Sequence, residues 1–296
     1  MNPEYSIVIV SKNRKQELSR TLQILDPQLV GTDTEILVFL DGCTDNSSEL
    51  KMDFTKVRWF ESDKSIGASA ARHFLYPKAN GKYLIGLDDD AHPLHSNFKE
   101  KVKEIFQQHV DTGIIAFQEI KGNFESDALA LESVPSLDQE YNTNEFIGCG
   151  FAIRKEVYEV TNGFPIWIDI YGEEACLAIE VLAKGFDIRY SSSIKVNHRV
   201  NKEDRKKQGR NYFRFGKQLK NTTFHYLVYY SFPFYRIAKL YWHNLNKYAL
   251  KDKEYFKVYC KVIGEVVKKA PSVLRHRNPI DKEVFRKMKE LKKINF

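Results

Sequence analysis

Short apolar runs alternate with longer amphipathic segments through the first 120 residues. The runs are strand-sized and rich in β-branched residues, and the segments between them carry apolar residues at helical spacing. Strands alternating with helices predict βαβ units and a mainly parallel sheet. We predict strands at 5–11, 34–42, 56–62, 82–88 and 112–121, those at 5–11, 34–42 and 82–88 being buried, and helices at 14–25, 45–54, 66–79 and 96–109.

The pattern continues with less regularity to residue 200. A small-residue loop, a strand and a helix are predicted within 146–165, and an acidic helix within 172–185, where Gly185 supplies a C-cap. Residues 186–200 have the pattern of a strand pair. From about residue 201 the chain becomes basic, with aromatic residues interleaved.

Charge divides the chain into two regions. Residues 201–296 hold 25 Lys and Arg against 8 Asp and Glu, whereas residues 1–200 hold 21 against 31. We therefore predict an acidic domain at 1–205 and a helical C-terminal region at 206–296, which either meets an anionic partner or folds onto the domain with its lysines in solvent. The four cysteines match no metal or redox spacing, and no segment has the length and hydropathy of a membrane span.

Polar residues follow the predicted strands where a parallel sheet binds its ligands. Three adjacent carboxylates, Asp88 to Asp90, come directly after a buried strand. Such a cluster is unfavourable unless cations compensate it. Asp88 and Asp90 alternate on extended backbone, so their side chains can share one side and bind Mg²⁺ or Mn²⁺ with a diphosphate. The alternative is a solvated strand end.

Six segments resemble the family 2 glycosyltransferases of the GT-A fold, in the family's order and over residues 4–200. They are "SIVIVSKNR", "EILVFLDGCTDNS", "GASAARH", "YLIGLDDDAHP", "GFAIRKEVYEVTNGFP" and "YGEEACLAIEVLAKGFDI". The resemblance implies an α/β fold of the GT-A (Rossmann-like) type, a central mainly parallel sheet flanked by helices. The basic, aromatic-rich helical region would be an extension to it.

The resemblance also implies roles at the nucleotide end of the site. Asp88 and Asp90 would be the D-x-D residues, with Asp90 the direct metal ligand and Asp89 nearer the ribose. The donor nucleotide would also be bound by Ser11, Asn13 and Arg14 around the pocket, by Asp41 at the base, and by Arg72 at the base or diphosphate.

At the sugar end, the resemblance places an acidic pair, Glu173 and Glu174, at the family's catalytic motif. An inverting transfer needs a carboxylate that takes the proton of the acceptor hydroxyl. Glu174 aligns with the family's aspartate base, Glu173 is a second candidate, and helix-terminal acids without catalysis are the alternative. The remaining implied residues are His198 near the metal, Gly148 and Gly150 beside the donor sugar, and Trp167 against an acceptor sugar or in the core.

The function implied is an inverting, metal-dependent glycosyltransferase in bacterial surface polysaccharide synthesis. Its donor would be a UDP-sugar, with dTDP or GDP as alternatives, and its acceptor a saccharide or lipid-linked saccharide. We expect a cytoplasmic enzyme, peripheral on an anionic inner membrane face, with no nucleic-acid partner. The competing classes are a non-catalytic nucleic-acid binder that uses the basic, aromatic tail and another metal-dependent enzyme that acts on nucleotides or phosphates. A dinucleotide-binding oxidoreductase is excluded because no G-x-G-x-x-G follows the first strand.

Overall fold

The computed structural model describes residues 3–29, 33–135, 137–200 and 210–294. Its strands are β1 (Tyr5–Ser11), β2 (Thr34–Asp41), β3 (Arg58–Ser62), β4 (Tyr83–Asp88), β5 (Ala91–Pro93), β6 (Thr112–Lys121), β7 (Glu140–Thr143), β8 (Gly150–Arg154) and β9 (Asp187–His198). Its helices are α1 (Lys15–Leu29), α2 (Leu50–Asp53), α3 (Ala68–Leu75), α4 (Phe98–Gln108), α5 (Asp127–Glu132), α6 (Lys155–Glu159), α7 (Glu173–Ala183), α8 (Arg210–Tyr229), α9 (Phe234–Asn244), α10 (Lys253–Val273) and α11 (Lys282–Glu290). Short turns of helix lie at Ser47–Glu49, Tyr76–Lys78, Leu245–Ala249 (a π-turn) and Leu274–His276.

All nine described strands form one sheet, in the order β3-β2-β1-β4-β8-β6-β9-β5, with β7 beside β9. Strands β5, β7 and β8 pair antiparallel with their neighbours, and the other six share one direction. The predicted α/β class with a mainly parallel sheet is therefore confirmed.

Helices cover both faces of this sheet. Side chains alternate along β1, so Ile7 and Ile9 pack with α1 and α4 on one face, whereas Val8 packs with α3 and α7 on the other. Two buried faces explain why the central strands are apolar almost without interruption.

The predicted strand pair at 186–200 is wrong, because the segment forms the single strand β9. Its first part pairs with β7 and its end pairs with β5, while β6 lies along both parts. The pairing with β6 skips from Ser191 to Lys195, so residues 192–194 form an irregularity. Two of the three consecutive serines, Ser192 and Ser193, lie in this irregularity.

The C-terminal helices pack onto the body of the fold. Phe224 and Tyr229 of α8 share an apolar cluster with Cys176 and Ile179 of α7. The predicted boundary between residues 205 and 206 lies outside the described residues. Among the described helices, none combines the length and the hydropathy that crossing a membrane requires.

Candidate active site

The candidate site lies where three neighbouring strands end. Strand β1 pairs in parallel with both β2 and β4, so the residues after these strands emerge at one edge of the sheet. Ligands of open α/β sheets bind at this edge. The residues brought together there are Ser11 at the end of β1 and Arg14 after it, Asp41 at the end of β2, and Asp88 to Asp90 at the end of β4.

Arg14 compensates two of the three adjacent carboxylates. Its Nη1 lies 3.1 Å from Asp89 Oδ1 and its Nη2 lies 2.7 Å from Asp90 Oδ2. Ser11 Oγ donates to Asp89 Oδ2 at 2.7 Å. Burial raises the pKa of Asp89 to about 7, against the opposing charge of Arg14. In this structure the contacts of Ser11, Arg14 and Asp89 hold the loop of the triplet in place, and their predicted nucleotide contacts stay predictions.

Asp88, Asp90 and His198 form a cluster that could hold a metal ion. One ligand atom from each residue lies within 4.8 Å of those of the other two. Burial raises the pKa of Asp90, but His198 and Arg14 outweigh it and hold that pKa well below its usual range. Burial opposes a proton on His198, yet hydrogen bonds to Asp90, Cys149 and Glu119 raise its pKa to about 12. The same anionic surroundings would attract a divalent cation.

Glu119 of β6 orients the imidazole of His198. Its buried Oε1 contacts His198 Nδ1, while His198 Nε2 lies 3.2 Å from Asp90 Oδ1. Lys121 Nζ lies 3.2 Å from the other oxygen of Glu119. A carboxylate behind a ligating histidine fixes the tautomer and the direction of the free ring nitrogen.

Arg72 of α3 joins the metal-side carboxylates to the acidic pair. Its guanidinium lies 2.8 Å from Asp88 Oδ1, 3.1 Å from Glu173 Oε1 and 3.7 Å from Glu174 Oε1. Burial opposes the charge of Arg72, but these carboxylates raise its pKa above the ordinary value. Arg72 was predicted against the base or the diphosphate, and in this structure it lies between the two acidic clusters.

The acidic pair begins α7, and its two members differ in exposure. The Glu173 side chain is 3% exposed and the Glu174 side chain is 25% exposed. Burial raises the pKa of both carboxyls, and Arg72 opposes this. A raised pKa makes a carboxylate a stronger base, and the exposure of Glu174 leaves it within reach of a substrate.

The two glycines predicted beside the donor sugar have different surroundings. A Cβ at Gly148 would lie 2.6 Å from Glu174 Oε1 and 2.9 Å from Arg72 Nη2, so a larger residue would displace the ends of these two side chains. A Cβ at Gly150 would lie 2.8 Å from Val196 Cγ2, in the core between strands. The surroundings of Gly148 are those of the site, whereas those of Gly150 are structural.

Asp41 and Asn13 tie together the loops of the predicted nucleotide pocket. The carboxylate of Asp41 accepts hydrogen bonds from Ser65 Oγ and the amides of Ile66 and Gly67 at 2.7, 2.7 and 3.1 Å. Asn13 Oδ1 accepts from the amide of Thr44 at 2.7 Å. The predicted contact between Asp41 and a base would use the remaining acceptor capacity of this carboxylate.

Trp167 has the packing of a core residue. Its ring lies 6.2 Å from that of Tyr229, and the side chain is half-buried against the cluster between α7 and α8. The acceptor-stacking role predicted as one of two alternatives for Trp167 stays a prediction.

Residues 6–161 match the family described as glycosyl transferase family 2. The chain belongs to this family. The match ends before the acidic pair, so the roles of Glu173 and Glu174 depend on the geometry around Arg72.

The chain also resembles a protein of Haemophilus influenzae in sequence and several solved structures in fold. An uncharacterized protein of Haemophilus influenzae is 31% identical over 176 residues, which are 54% of this chain and 92% of that protein. The mannosyltransferase PcManGT of Pyrobaculum calidifontis, solved with GDP-Man and Mn²⁺, is 15% identical with a TM-score of 0.60, over 98% of this chain and 84% of that one. TarS of S. aureus, solved with UDP-GlcNAc, is 13% identical with a TM-score of 0.60, over 90% and 81%. In another structure of TarS residues 1–349, the protein described here covers 60% of the TarS chain. At these identities the solved structures show the fold alone.

Glu119 was not among the site residues predicted from the sequence of this family 2 chain. The signal available was an acidic residue inside a strand that begins as a buried run. Its partner His198 lies on β9, which the sequence analysis predicted as two strands, so the pairing of β6 with β9 was not predicted. The parallel register places Lys121 opposite His198 and Glu119 opposite Val196.

Proposed function

We propose that this protein is an inverting glycosyltransferase that moves a sugar from a nucleoside-diphosphate donor to a saccharide or lipid-linked saccharide. The observation that carries the proposal is the position of Arg72. One guanidinium contacts Asp88 of the cation cluster and both members of the acidic pair. A site for the diphosphate and a site for the acceptor proton therefore adjoin each other.

The donor proposed is a UDP-sugar, and the cation is Mn²⁺ or Mg²⁺. PcManGT is named with GDP-Man and Mn²⁺, and TarS with UDP-GlcNAc, so relatives of this fold bind both uridine and guanosine donors. The ligand set of two carboxylates and one imidazole favours Mn²⁺, because Mg²⁺ prefers oxygen ligands.

In the proposed reaction Glu174 accepts the proton of the acceptor hydroxyl as its oxygen attacks the anomeric carbon of the donor. The bond from that carbon to the diphosphate oxygen breaks, and the nucleoside diphosphate leaves with the bonding electrons. A cation held by Asp88, Asp90 and His198 would supply charge stabilisation to this leaving group. Arg72 pairs with carboxylates of both clusters and so holds the two clusters in a fixed position relative to each other.

Nucleotide binding is the first test. We expect UDP with Mn²⁺ to raise the melting temperature of the protein more than GDP or dTDP with Mn²⁺, and UDP with a chelator to have little effect. The measurement is a thermal shift series, followed by a screen of nucleotide sugars for metal-dependent hydrolysis. Stabilisation by DNA and by none of the nucleotides would favour the nucleic-acid binder and contradict the transferase.

We further propose that the enzyme is cytoplasmic and binds the anionic inner face of the membrane through α9 and the turn before it. Phe232, Phe234, Tyr235 and Trp242 are 81, 77, 78 and 68% exposed. Residues 231–251 contain four Lys and Arg and no Asp or Glu. Aromatic rings favour the membrane interface and basic residues favour anionic headgroups, and this segment combines both. Such a location suits a lipid-linked acceptor in bacterial surface polysaccharide synthesis.

Membrane binding is tested by flotation with phosphatidylcholine vesicles, with and without phosphatidylglycerol. We expect the wild type to float with the anionic vesicles, and the double variant Phe234→Ser/Trp242→Ser to stay in solution. The matched control is Met52→Ser/Val110→Ser, which removes two exposed apolar side chains, 76 and 71% exposed, from the body of the fold. Equal recovery of the two double variants with the vesicles would refute the assignment of α9.

A further inference from the structure

A cleft of about 420 Å³ opens between α8, α9 with its π-turn, and α10. Its volume lies in the range of small-molecule sites. Its lining includes Tyr171, Arg214, Gln218, Asn244, Tyr248 and Tyr255. None of the functional residues predicted from the sequence lies in this cleft.

One loop connects the cleft to the reacting groups. Tyr171 and Gly172 line the cleft, and Gly172 is the residue before the acidic pair. Asn221 Nδ2 donates to the carbonyls of Ile170 and Tyr171, at 2.8 Å each, and so fixes the loop to α8. The hydrogen bonds hold Tyr171 at φ 68°, a left-handed conformation that a bulky residue seldom adopts.

The other side of this loop faces the nucleotide end of the site. A Cβ at Gly67 would lie 3.0 Å from Asp169 Cα, and Gly67 itself donates its amide to Asp41. Asp169 also pairs with Lys217 and Lys220 of α8. Residues 169–172 are therefore a shared wall, with the predicted nucleotide pocket on one side and the cleft on the other.

The lining has the chemistry of a carbohydrate site. Tyr171, Tyr248 and Tyr255 offer aromatic faces for the apolar face of a sugar ring. Gln218 and Asn244 offer amide groups, which donate to and accept from hydroxyls.

Arg214 adds a preference for negative charge. It is the one charged side chain among the described lining residues, and its guanidinium lies 5.3 Å from the centre of the Tyr171 ring. Among the described residues no carboxylate forms an ion pair with it. A guanidinium so placed can bind a phosphate or carboxylate with two parallel hydrogen bonds.

We propose that this cleft binds the acceptor, and that the acceptor is a saccharide with an anionic group, which Arg214 recognises. The inference rests on the proposed function, because it assigns the second substrate of the same transfer. Helix α9 supplies Leu240 and Asn244 to the cleft and Trp242 to the proposed membrane surface. An acceptor anchored in lipid would reach the cleft from that side.

The test is a titration with glucose, glucose 1-phosphate and glucuronic acid, measured by isothermal titration calorimetry. UDP and Mn²⁺ are present at saturation so that the donor site is occupied. We expect at least one anionic sugar to bind about tenfold more tightly than glucose, as a charge-assisted hydrogen bond provides. Tighter binding of glucose 1-phosphate or of glucuronic acid shows whether the cleft recognises a phosphate or a carboxylate on the acceptor.

Two variants keep the test specific. Arg214→Gln is expected to bring the affinity for the anionic sugar down to that for glucose, whereas the control Arg275→Gln, at another exposed arginine, should retain it. Equal affinity for glucose and both anionic sugars, or an unchanged affinity in Arg214→Gln, would overturn the inference. Failure of the proposed function is distinguishable, since it would also abolish stabilisation by UDP with Mn²⁺ in the wild type.

Discussion

The Glu174→Gln variant is expected to turn over about 10²- to 10⁴-fold more slowly than the wild type, the range that a general base contributes. Glutamine keeps the size of the side chain and cannot take a proton. The KM for the donor should change little, because Asp88, Asp90 and His198 are untouched. The measurement is steady-state release of nucleoside diphosphate from the donor that screening identifies, with the UDP–Mn²⁺ thermal shift as a check on binding.

The Glu173→Gln variant distinguishes the role of Glu173 from that of Glu174. Glu173 is the more buried of the two, and its Oε1 accepts from Arg72 Nη1 at 3.1 Å. We expect this variant to lower the melting temperature and to reduce kcat less than Glu174→Gln does. Glu159→Gln, at a site 59% exposed on α6, is the matched control and should leave both quantities unchanged. The opposite order of the two kcat values would assign the base to Glu173, and full activity in both would remove the acidic pair from the reaction.

The central strands of the sheet could be predicted because they are buried on both faces. Strands β1, β2 and β4 are almost continuous apolar runs, β6 begins as one, and the helix α7 ends before Gly185, which has φ 89°. Strand β9 could not be predicted as one strand. It changes antiparallel partners from β7 to β5 along its length, and its sequence alone does not reveal a change of partner.

The location of the site could be predicted from the sequence, but the contacts between its side chains could not. Acidic residues at strand ends indicated a shared edge, since parallel strands end together. The pairing of Arg14 with Asp89 and Asp90 joins residues far apart in the sequence, and no local pattern specifies it. Gly148 and Gly150 are two residues apart, yet only Gly148 lies against Arg72 and Glu174, because Gly148 is in the turn before β8, whereas Gly150 begins β8 and packs against Val196 of β9.

The Asp90→Asn variant is expected to bind Mn²⁺ more than about 100-fold more weakly, a loss beyond that typical of residues behind the ligands. Asp90 is held ionised by its neighbours, and its carboxylate faces the same cluster as Asp88 and His198. The measurement is a Mn²⁺ titration in the presence of UDP, in which electron paramagnetic resonance reports the concentration of unbound Mn²⁺. The melting temperature without metal is measured as well, because the change leaves Arg14 and His198 with less negative charge beside them.

Glu119→Gln tests whether the cluster works as a metal site through His198. Glutamine retains a hydrogen-bonding group next to His198 Nδ1 and removes the charge behind the imidazole, so we expect Mn²⁺ affinity to fall by about 10- to 100-fold. Asp53→Asn, at an exposed position at the end of α2, is the control and should bind Mn²⁺ as the wild type does. The expected order is a large loss at Asp90, an intermediate loss at Glu119 and none at Asp53. Wild-type affinity in Glu119→Gln together with a loss in Asp90→Asn would leave the carboxylates as ligands and exclude His198, since a ligating imidazole depends on the carboxylate that orients it.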